Sequence, residues 1–168
     1  MIGRGIAAAL AVIGLDQLSK FLVLAHFGEH GCIDRREPVT GFLELVLTCN
    51  RGMSFGLFNN GAGLSAPLFS LGAAAVVVLL VLWLSRVNSE LLALAIGLII
   101  GGAVGNVIDR VRLGGVVDFL YFHLGAWYWP AFNLADSAIC IGVAMMLLEG
   151  LLSRRQGLEP RREGDELP

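Results

Sequence analysis

The chain has 168 residues, of which 56% are apolar and 15% charged, and its mean hydropathy is +0.74. Charged residues make up about a quarter of an average soluble domain, so this composition excludes a soluble globular protein and indicates a membrane-embedded one. The net charge of −2 gives no basic surface for nucleic acid, and the length is that of one domain.

Four apolar segments each approach the roughly 20 residues that a helix needs to cross the hydrocarbon core. They cover residues 5–25, 67–85, 91–109 and 134–152. The first continues too far for the short apolar region of a signal peptide. We therefore predict an α-helical membrane protein with four transmembrane helices in one domain, residues 1–152. The polar remainder, residues 153–168, is predicted to be a disordered cytoplasmic tail.

The first span carries two opposite charges. Asp16 and Lys20 are one helical turn apart, with Gln17 beside them, so the two side chains can pair. A buried structural ion pair explains them better than direct catalysis, because two unpaired charges at membrane depth would be costly.

The outer loop of residues 26–66 contains strand-forming sequence. Residues 42–48 favour a strand, residues 50–52 a turn, and residues 53–58 a second short strand. This pattern predicts a small extracytoplasmic β-rich element between helices 1 and 2, lying on the membrane surface.

Cysteine and histidine spacing indicates no metal site. A disulfide between Cys32 and Cys49 is possible in an oxidising compartment, and the sequence leaves it open. The remaining candidates are scattered: Cys140, His26, His30 and His123.

The end of the third span combines small and polar residues. One helix face carries Asn106, Asp109 and Arg110. Two explanations account equally well for these polar residues at membrane depth: a functional site, or a structural salt bridge from Arg110 to an aspartate. A row of glycines on the preceding turns predicts close approach of another helix: Gly97, Gly101 and Gly105.

The second outer loop, residues 110–133, is rich in aromatic residues of the kind that anchor proteins at the membrane surface: Trp127, Tyr128, Trp129 and Phe132. Asn133 then precedes the fourth span, with Asp136 three residues later. That spacing is typical of a helix cap, so Asp136 also has a structural explanation.

Arginine placement predicts cytoplasmic termini. The arginines assigned to the inside are Arg4, Arg86, Arg154, Arg155, Arg161 and Arg162. Those in the longer outer loops are Arg35, Arg36, Arg51 and Arg112. In this orientation, Asn50, Arg110, Asp118 and Asp136 lie on the outer side.

Asp118 and Asp136 flank a short surface segment and lie at the ends of neighbouring spans. Two adjacent carboxylates share a proton, because both cannot ionise cheaply. One can then accept a proton from water while the other donates to a carbonyl oxygen. The first turn of a helix favours the ionised form of Asp136, which makes the two unequal.

Five motifs in order resemble those of the bacterial lipoprotein signal peptidase (signal peptidase II) family, over the four spans and both outer loops. They are Asp16-Gln17-x-x-Lys20, Asn50-x-Gly52-x-x-Phe55-Gly56, Gly101-Gly102-Ala103-x-Gly105-Asn106-x-x-Asp109-Arg110, Val116-Val117-Asp118-Phe119 and Phe132-Asn133-x-Ala135-Asp136. The resemblance implies a multi-pass aspartyl endopeptidase of the bacterial inner membrane. Such an enzyme cleaves prolipoproteins on the N-terminal side of their diacylglyceryl-modified cysteine.

The same resemblance implies roles for individual residues. Asp118 and Asp136 match the catalytic pair. Residues matching the substrate cleft are Asn50, Gly52, Asn106, Arg110 and Asn133. Supporting residues are Asp16, Lys20 and Asp109. No metal or other cofactor is implied. The protein is expected to be a monomer whose partners are lipidated prolipoproteins and membrane lipids, with no nucleic acid.

Two other classes compete with this interpretation. A small transporter or channel would use the charges of spans one and three to line a polar path, but spans two and four are apolar over most of their length. A non-catalytic assembly factor would use them only to fix helix pairing, which leaves Asp118 and Asp136 no purpose beyond capping.

Overall fold

The computed structural model describes residues 1–28, 33–51 and 65–158. Within these ranges the chain forms four helices and four strands. In chain order they are α1 (Ile2–His26), β1 (Arg35–Pro38), β2 (Leu43–Asn50), α2 (Ser65–Leu84), α3 (Glu90–Leu113), β3 (Val116–Leu124), β4 (Trp127–Tyr128) and α4 (Leu134–Leu158).

The helices confirm the predicted fold class of a multi-pass α-helical membrane protein. Three of the described helices, α1, α3 and α4, are long and apolar enough to cross a membrane. The fourth, α2, has a shorter apolar segment, Phe69–Leu84. Helix α4 continues to Leu158, and the rest of the predicted tail, residues 159–168, lies outside the described residues.

Helix α3 is the centre of the helical part. Of its most apolar 18-residue window 56% is buried, against 22% in α1 and 17% in α4, so the latter two present most of their surface to lipid. Ile96 and Ile100 of α3 form a core with Leu84 of α2 and Ala9 of α1.

Glycines allow the neighbouring helices to approach α3 closely, as predicted. A Cβ atom at Gly97 would collide with the backbone of Gly5 on α1. A Cβ atom at Gly102, on the other side of α3, would collide with the carbonyl oxygen of Ala135 on α4. The absence of side chains here brings the N-terminus of α4 against α3, as small residues do in membrane helix pairs.

The four strands form one antiparallel sheet in the order β1-β2-β3-β4. Strand β2 comes from the first outer loop and pairs with β3 from the second, with Thr48 opposite Asp118. The sequence predicted β-structure between helices 1 and 2 only, so β3 and β4 were missed. Their aromatic residues suit a strand and a membrane-surface belt equally, which hid the strands. The turn predicted at residues 50–52 begins too early, because Asn50 is still part of β2. Gly52 and the strand predicted at residues 53–58 lie outside the described residues.

The sheet is attached to the helices by a second core. Val23 near the end of α1 packs with Leu47 of β2 and with Val117 and Phe119 of β3. Val117 and Phe119 flank Asp118 in the chain, so this core fixes the position of Asp118 above the helix ends.

Two of the cysteines lie within the described residues. Cys49 is disulfide-bonded, whereas Cys140 is a free thiol exposed on α4. Cys32 lies outside the described residues, so a disulfide between Cys32 and Cys49 stays a prediction.

Candidate active site

Asp118 and Asp136, called here the aspartate pair, are joined by one side chain. Asn133, fully buried directly before α4, accepts a hydrogen bond on Oδ1 from the Asp136 backbone N–H at 2.9 Å. Its Nδ2 donates to Oδ1 of Asp118 at 2.7 Å. In return, Oδ2 of Asp136 accepts from the Asn133 backbone N–H at 3.4 Å. The predicted cap is therefore confirmed, and it also ties α4 to the carboxylate on β3.

Asn106 of α3 forms a second connection. Its Nδ2 donates to Oδ1 of Asp136 at 2.8 Å. Its Oδ1 accepts from Nδ2 of Asn133 at 3.2 Å and from Nζ of Lys20 at 3.3 Å. Since these donors occupy the oxygen, the amide nitrogen is oriented toward Asp136. The two asparagines thus hold both carboxylates in one hydrogen-bonded network.

The carboxyl group of Asp118 has a raised pKa and therefore retains its proton to a higher pH than an ordinary aspartate. Burial, followed by the negative charge of Asp136, raises the pKa of Asp118 from 3.8 to about 7. Hydrogen bonds from Asn133 and Asn50 and the charge of Lys20 oppose this rise only in part. Asp118 can therefore donate a proton near neutral pH.

Beneath the aspartate pair lies a buried group of charges, Asp16, Lys20 and Asp109, called here the ion cluster. Nζ of Lys20 is 2.8 Å from Oδ2 of Asp16 and 2.7 Å from Oδ2 of Asp109. The Asp16–Lys20 pair is as predicted. The alternative salt bridge from Arg110 to an aspartate is not formed among the described residues, because Asp109 pairs with Lys20 instead.

Each carboxylate of the ion cluster also binds a backbone amide next to the aspartate pair. Oδ1 of Asp16 accepts from the N–H of Ala135 at 3.0 Å. Oδ2 of Asp109 accepts from the N–H of Val117 at 3.2 Å. Ala135 and Val117 directly precede the two members of the aspartate pair, so the ion cluster fixes the backbone on both sides of the site.

Gln17 completes this support and was not predicted as a site residue. Its Nε2 donates to Oδ1 of Asp109 at 2.9 Å and to the carbonyl oxygen of Gly105 at 3.3 Å. Its Oε1 accepts from Arg112 at 3.3 Å. The feature of the sequence that could have identified Gln17 is its position directly after Asp16. On a helix, consecutive residues point to adjacent faces, so Gln17 can reach the same neighbouring helix.

Arg110 retains an unused donor. Its Nη1 donates to the carbonyl oxygen of Asn106 at 3.3 Å, whereas its Nε is the one buried side-chain nitrogen or oxygen in the described part of the chain without a hydrogen-bond partner. The guanidinium also interacts electrostatically with Asp136 and Asp118. A buried donor without a partner is costly, and this cost is offset by the attraction between the guanidinium and the two aspartates.

Of the predicted site residues, the structure brings together both aspartates, Asn50, Asn106, Arg110, Asn133 and the ion cluster. Gly52 lies outside the described residues. Within the described ranges, no three His, Cys, Asp or Glu side chains converge as metal ligands.

Comparisons with known proteins agree on one family. The model of signal peptidase II, Peptidase_A8, matches residues 8–152. A lipoprotein signal peptidase of Azoarcus sp. (strain BH72) is 48% identical over 162 residues, which cover 95% of this chain and 88% of that protein. One from Methylorubrum extorquens (strain PA1) is 42% identical, covering 88% and 85%.

Solved structures agree with the sequence relatives. A bacterial membrane enzyme solved by the in meso method at 2.3 Å superposes with a TM-score of 0.78 and 27% identity, covering 97% of this chain and 96% of that one. A second, at 1.9 Å, has a TM-score of 0.74 and 28% identity, covering 90% and 94%. The chain therefore belongs to the signal peptidase II family.

Proposed function

We propose that this protein is an aspartyl endopeptidase that removes signal peptides from prolipoproteins, cutting directly before the diacylglyceryl-modified cysteine. One observation supports the mechanism above all. Asp118, with a pKa of about 7, shares a hydrogen-bonded network with Asp136 through Asn133. A protonated acid beside a second carboxylate is the arrangement that aspartyl proteolysis requires.

In the proposed reaction, Asp136 takes a proton from water as the water oxygen attacks the scissile carbonyl carbon. Asp118 gives its proton to the carbonyl oxygen, and a tetrahedral diol forms. Asp136 then passes its proton to the leaving nitrogen while the C–N bond breaks. Asp118 recovers a proton from a diol hydroxyl, so both aspartates return to their starting forms.

The remaining polar residues hold these groups and the substrate in position. Asn106 and Asn133 orient the two carboxylates through the bonds described above. Arg110, whose guanidinium interacts electrostatically with both aspartates, donates to a carbonyl of the substrate peptide. Asn50, at the end of β2 and bonded to Asp118, and Gly52 are assigned to substrate binding.

We further propose a cellular setting for the reaction. The protein acts in the bacterial inner membrane, with both termini in the cytoplasm and the aspartate pair near the outer face. It works as a monomer surrounded by membrane lipids. The exposed aromatic residues of the sheet, Trp127, Tyr128 and Trp129, lie at the level of the outer lipid headgroups.

Purified protein in detergent, given a lipidated and an unlipidated form of one precursor, tests this function. Mass spectrometry of the products reports the cleavage position. We expect a cut directly before the modified cysteine, and much faster conversion of the lipidated form. Equal rates for both forms, or a cut elsewhere, would contradict the proposed substrate recognition.

A further inference from the structure

An apolar cavity of about 410 Å³ lies beside Asp136, on the lipid-facing side of α4. One wall is the segment between β4 and α4, and the other is the first turns of α4. The lining residues are Trp129, Pro130, Ala131, Phe132, Asp136, Ser137, Cys140 and Ile141. Asp136 is the only ionisable carboxylate among them, so one end of an otherwise apolar cavity carries a member of the aspartate pair.

The cavity continues into an apolar surface of α4. Cys140 and Ile141 follow Asp136 by four and five positions and share its helix face. Further residues of that face are exposed down the helix: Ala144, Leu147, Leu148 and Leu151. Because only 17% of this span is buried, the stripe faces lipid, and a chain leaving the cavity would enter the bilayer interior.

The outer wall of the cavity is held in place relative to both aspartates. The backbone of Phe132 exchanges hydrogen bonds with Leu120 at 2.9 and 3.0 Å and accepts one from Phe119 at 3.0 Å. The ring of Phe132 stacks on Phe122 with 5.9 Å between centroids. These contacts anchor the wall to the strand that carries Asp118, so the cavity is a fixed part of the site.

We propose that this cavity binds an acyl chain of the substrate's own diacylglyceryl group, which rests on the proposed function. The scissile bond directly precedes the lipidated cysteine, so its acyl chains are tethered to the carbonyl that Asp136 serves through the cysteine side chain and the glycerol. A helical signal peptide suits the cavity less well. One helical turn, about 10 Å wide and 5.4 Å long, would already fill roughly 400 Å³.

The contribution of the cavity is orientation. An acyl chain in the bilayer is already in an apolar environment, so transfer into the cavity brings little hydrophobic free energy. Holding the chain between Phe132 and Cys140 instead sets the register of the lipidated cysteine, which aligns the preceding carbonyl with the aspartate pair. Small errors in such alignment lower turnover strongly.

Blocking the cavity tests this assignment. Cys140→Trp fills it, and Leu79→Trp, at an exposed position on α2, is the matched control. Each variant is given one peptide precursor carrying either two palmitoyl or two butanoyl chains. The readout is the ratio of kcat/KM for the long-chain over the short-chain substrate, with folding checked by thermal unfolding.

We expect wild type and Leu79→Trp to share a high ratio, and Cys140→Trp to lower it by about 10–100-fold. An unchanged ratio in folded Cys140→Trp would overturn the acyl-chain site. Failure of the wild type to cleave either precursor would instead overturn the proposed function, so the two failures are distinguishable.

Protection of the Cys140 thiol provides a test that needs no substitution in the cavity. The Asp118→Asn variant, whose substitution lies outside the cavity lining, retains bound precursor, and alkylation of Cys140 by N-ethylmaleimide is followed by mass spectrometry. We expect the dipalmitoyl precursor to slow alkylation at least about fivefold, since the chain covers the sulfur. Equal protection by dipalmitoyl phospholipid would assign the cavity to bulk lipid, and equal protection by unlipidated precursor would assign it to the peptide. Either result contradicts the proposal.

Discussion

Lys20 is almost completely buried, at 2% exposure, between two carboxylates that also bind backbone amides. The ammonium group offsets one of the two negative charges, and the backbone N–H groups that bind Asp16 and Asp109 stabilise both carboxylates further within the helix bundle. Because their other bonds hold Ala135 and Val117, a loss of Lys20 would disturb the backbone directly before each member of the aspartate pair.

Lys20→Met should destabilise the protein by about 3–5 kcal/mol, because it leaves two buried carboxylates without a counter-charge. The measurement is unfolding in detergent. Arg4→Met is the control, since Arg4 pairs with Glu90 on the exposed surface and should cost no more than about 1 kcal/mol. Adding Asp109→Asn to Lys20→Met should recover part of the loss, and a Lys20→Met effect as small as the control's would contradict this role.

Turnover should fall as pH rises through about 7, because Asp118 then loses the proton that it gives to the substrate carbonyl. The same group affects stability with a definite sign. Its folded-state pKa lies above the unfolded value, so its contribution to stability declines as pH rises from about 4 to 7. The pH–rate profile is measured on lipidated precursor, and thermal unfolding at each pH separates titration from loss of fold. Constant turnover from pH 6 to 9 would exclude Asp118 as the acid.

Residues within one helical turn were predictable in detail, and residues paired across elements were not. The Asn133–Asp136 cap depends on local spacing, as does the Asp16–Lys20 pair, and both are present. The partner of Asp109 depends on how α1 packs on α3. From sequence, Lys20 was assigned to Asp16 alone, and Arg110 was the candidate partner of an aspartate.

At the level of elements, α3 positions the site by contacting helices on two sides. Gly102 lets the start of α4 lie against α3. This contact also brings Ala135 within reach of Asp16. The row of Gly97, Gly101 and Gly105 was visible in the sequence, because small residues at intervals of four are a local pattern. Gly102 lies outside that row, so its contact with α4 was not predicted.

Gly102→Ala should cost about 1–3 kcal/mol of stability and lower turnover, since the new methyl group displaces the backbone of Ala135. Gly72→Ala on α2 is the matched control, because a Cβ atom there meets nothing within 4 Å. That change should be neutral or slightly stabilising. Unfolding and turnover are measured for both, and equal behaviour of the two variants would contradict the close contact.

The strands show why the sheet was only half predicted. Strand β2 has the β-branched and apolar composition of an ordinary strand. Strand β3 begins with four buried residues in succession, Val116–Phe119, without the alternation that marks a half-exposed strand. Its pairing with β2 joins residues about seventy positions apart, as in Thr48 and Asp118, and no local pattern specifies that register.

Across the whole molecule, buried polar side chains occupy one region. Within the described residues they are Asp16, Lys20, Asn106, Asp109, Asp118 and Asn133. Hydrogen bonds and ion pairs join them into a single network. A transporter needs polar groups along the full depth of the bilayer, so this confinement favours a site at one end of the bundle.

Topology should have both termini in the cytoplasm, because the arginines predicted to lie inside are in short connections and tails. Reporter fusions at Arg86 and after Leu158 should be cytoplasmic, and one in residues 33–51 should be external. An external reporter after Leu158 would reverse the orientation and move the aspartate pair to the wrong face.

The central claim is that Asp136 performs chemistry in addition to its capping contact with Asn133. The decisive measurement is the turnover of lipidated precursor by folded Asp136→Asn, with unfolding measured alongside. Asparagine preserves the shape and an acceptor for the cap, whereas the Asn106 amide loses its acceptor, so stability should fall by no more than about 3 kcal/mol. Turnover should fall by about 10²–10⁴-fold because an amide cannot take a proton from water. Asp118→Asn should behave alike, and the double variant should be scarcely worse, because the pair acts as a unit. Near-normal turnover by folded Asp136→Asn would contradict the aspartyl mechanism.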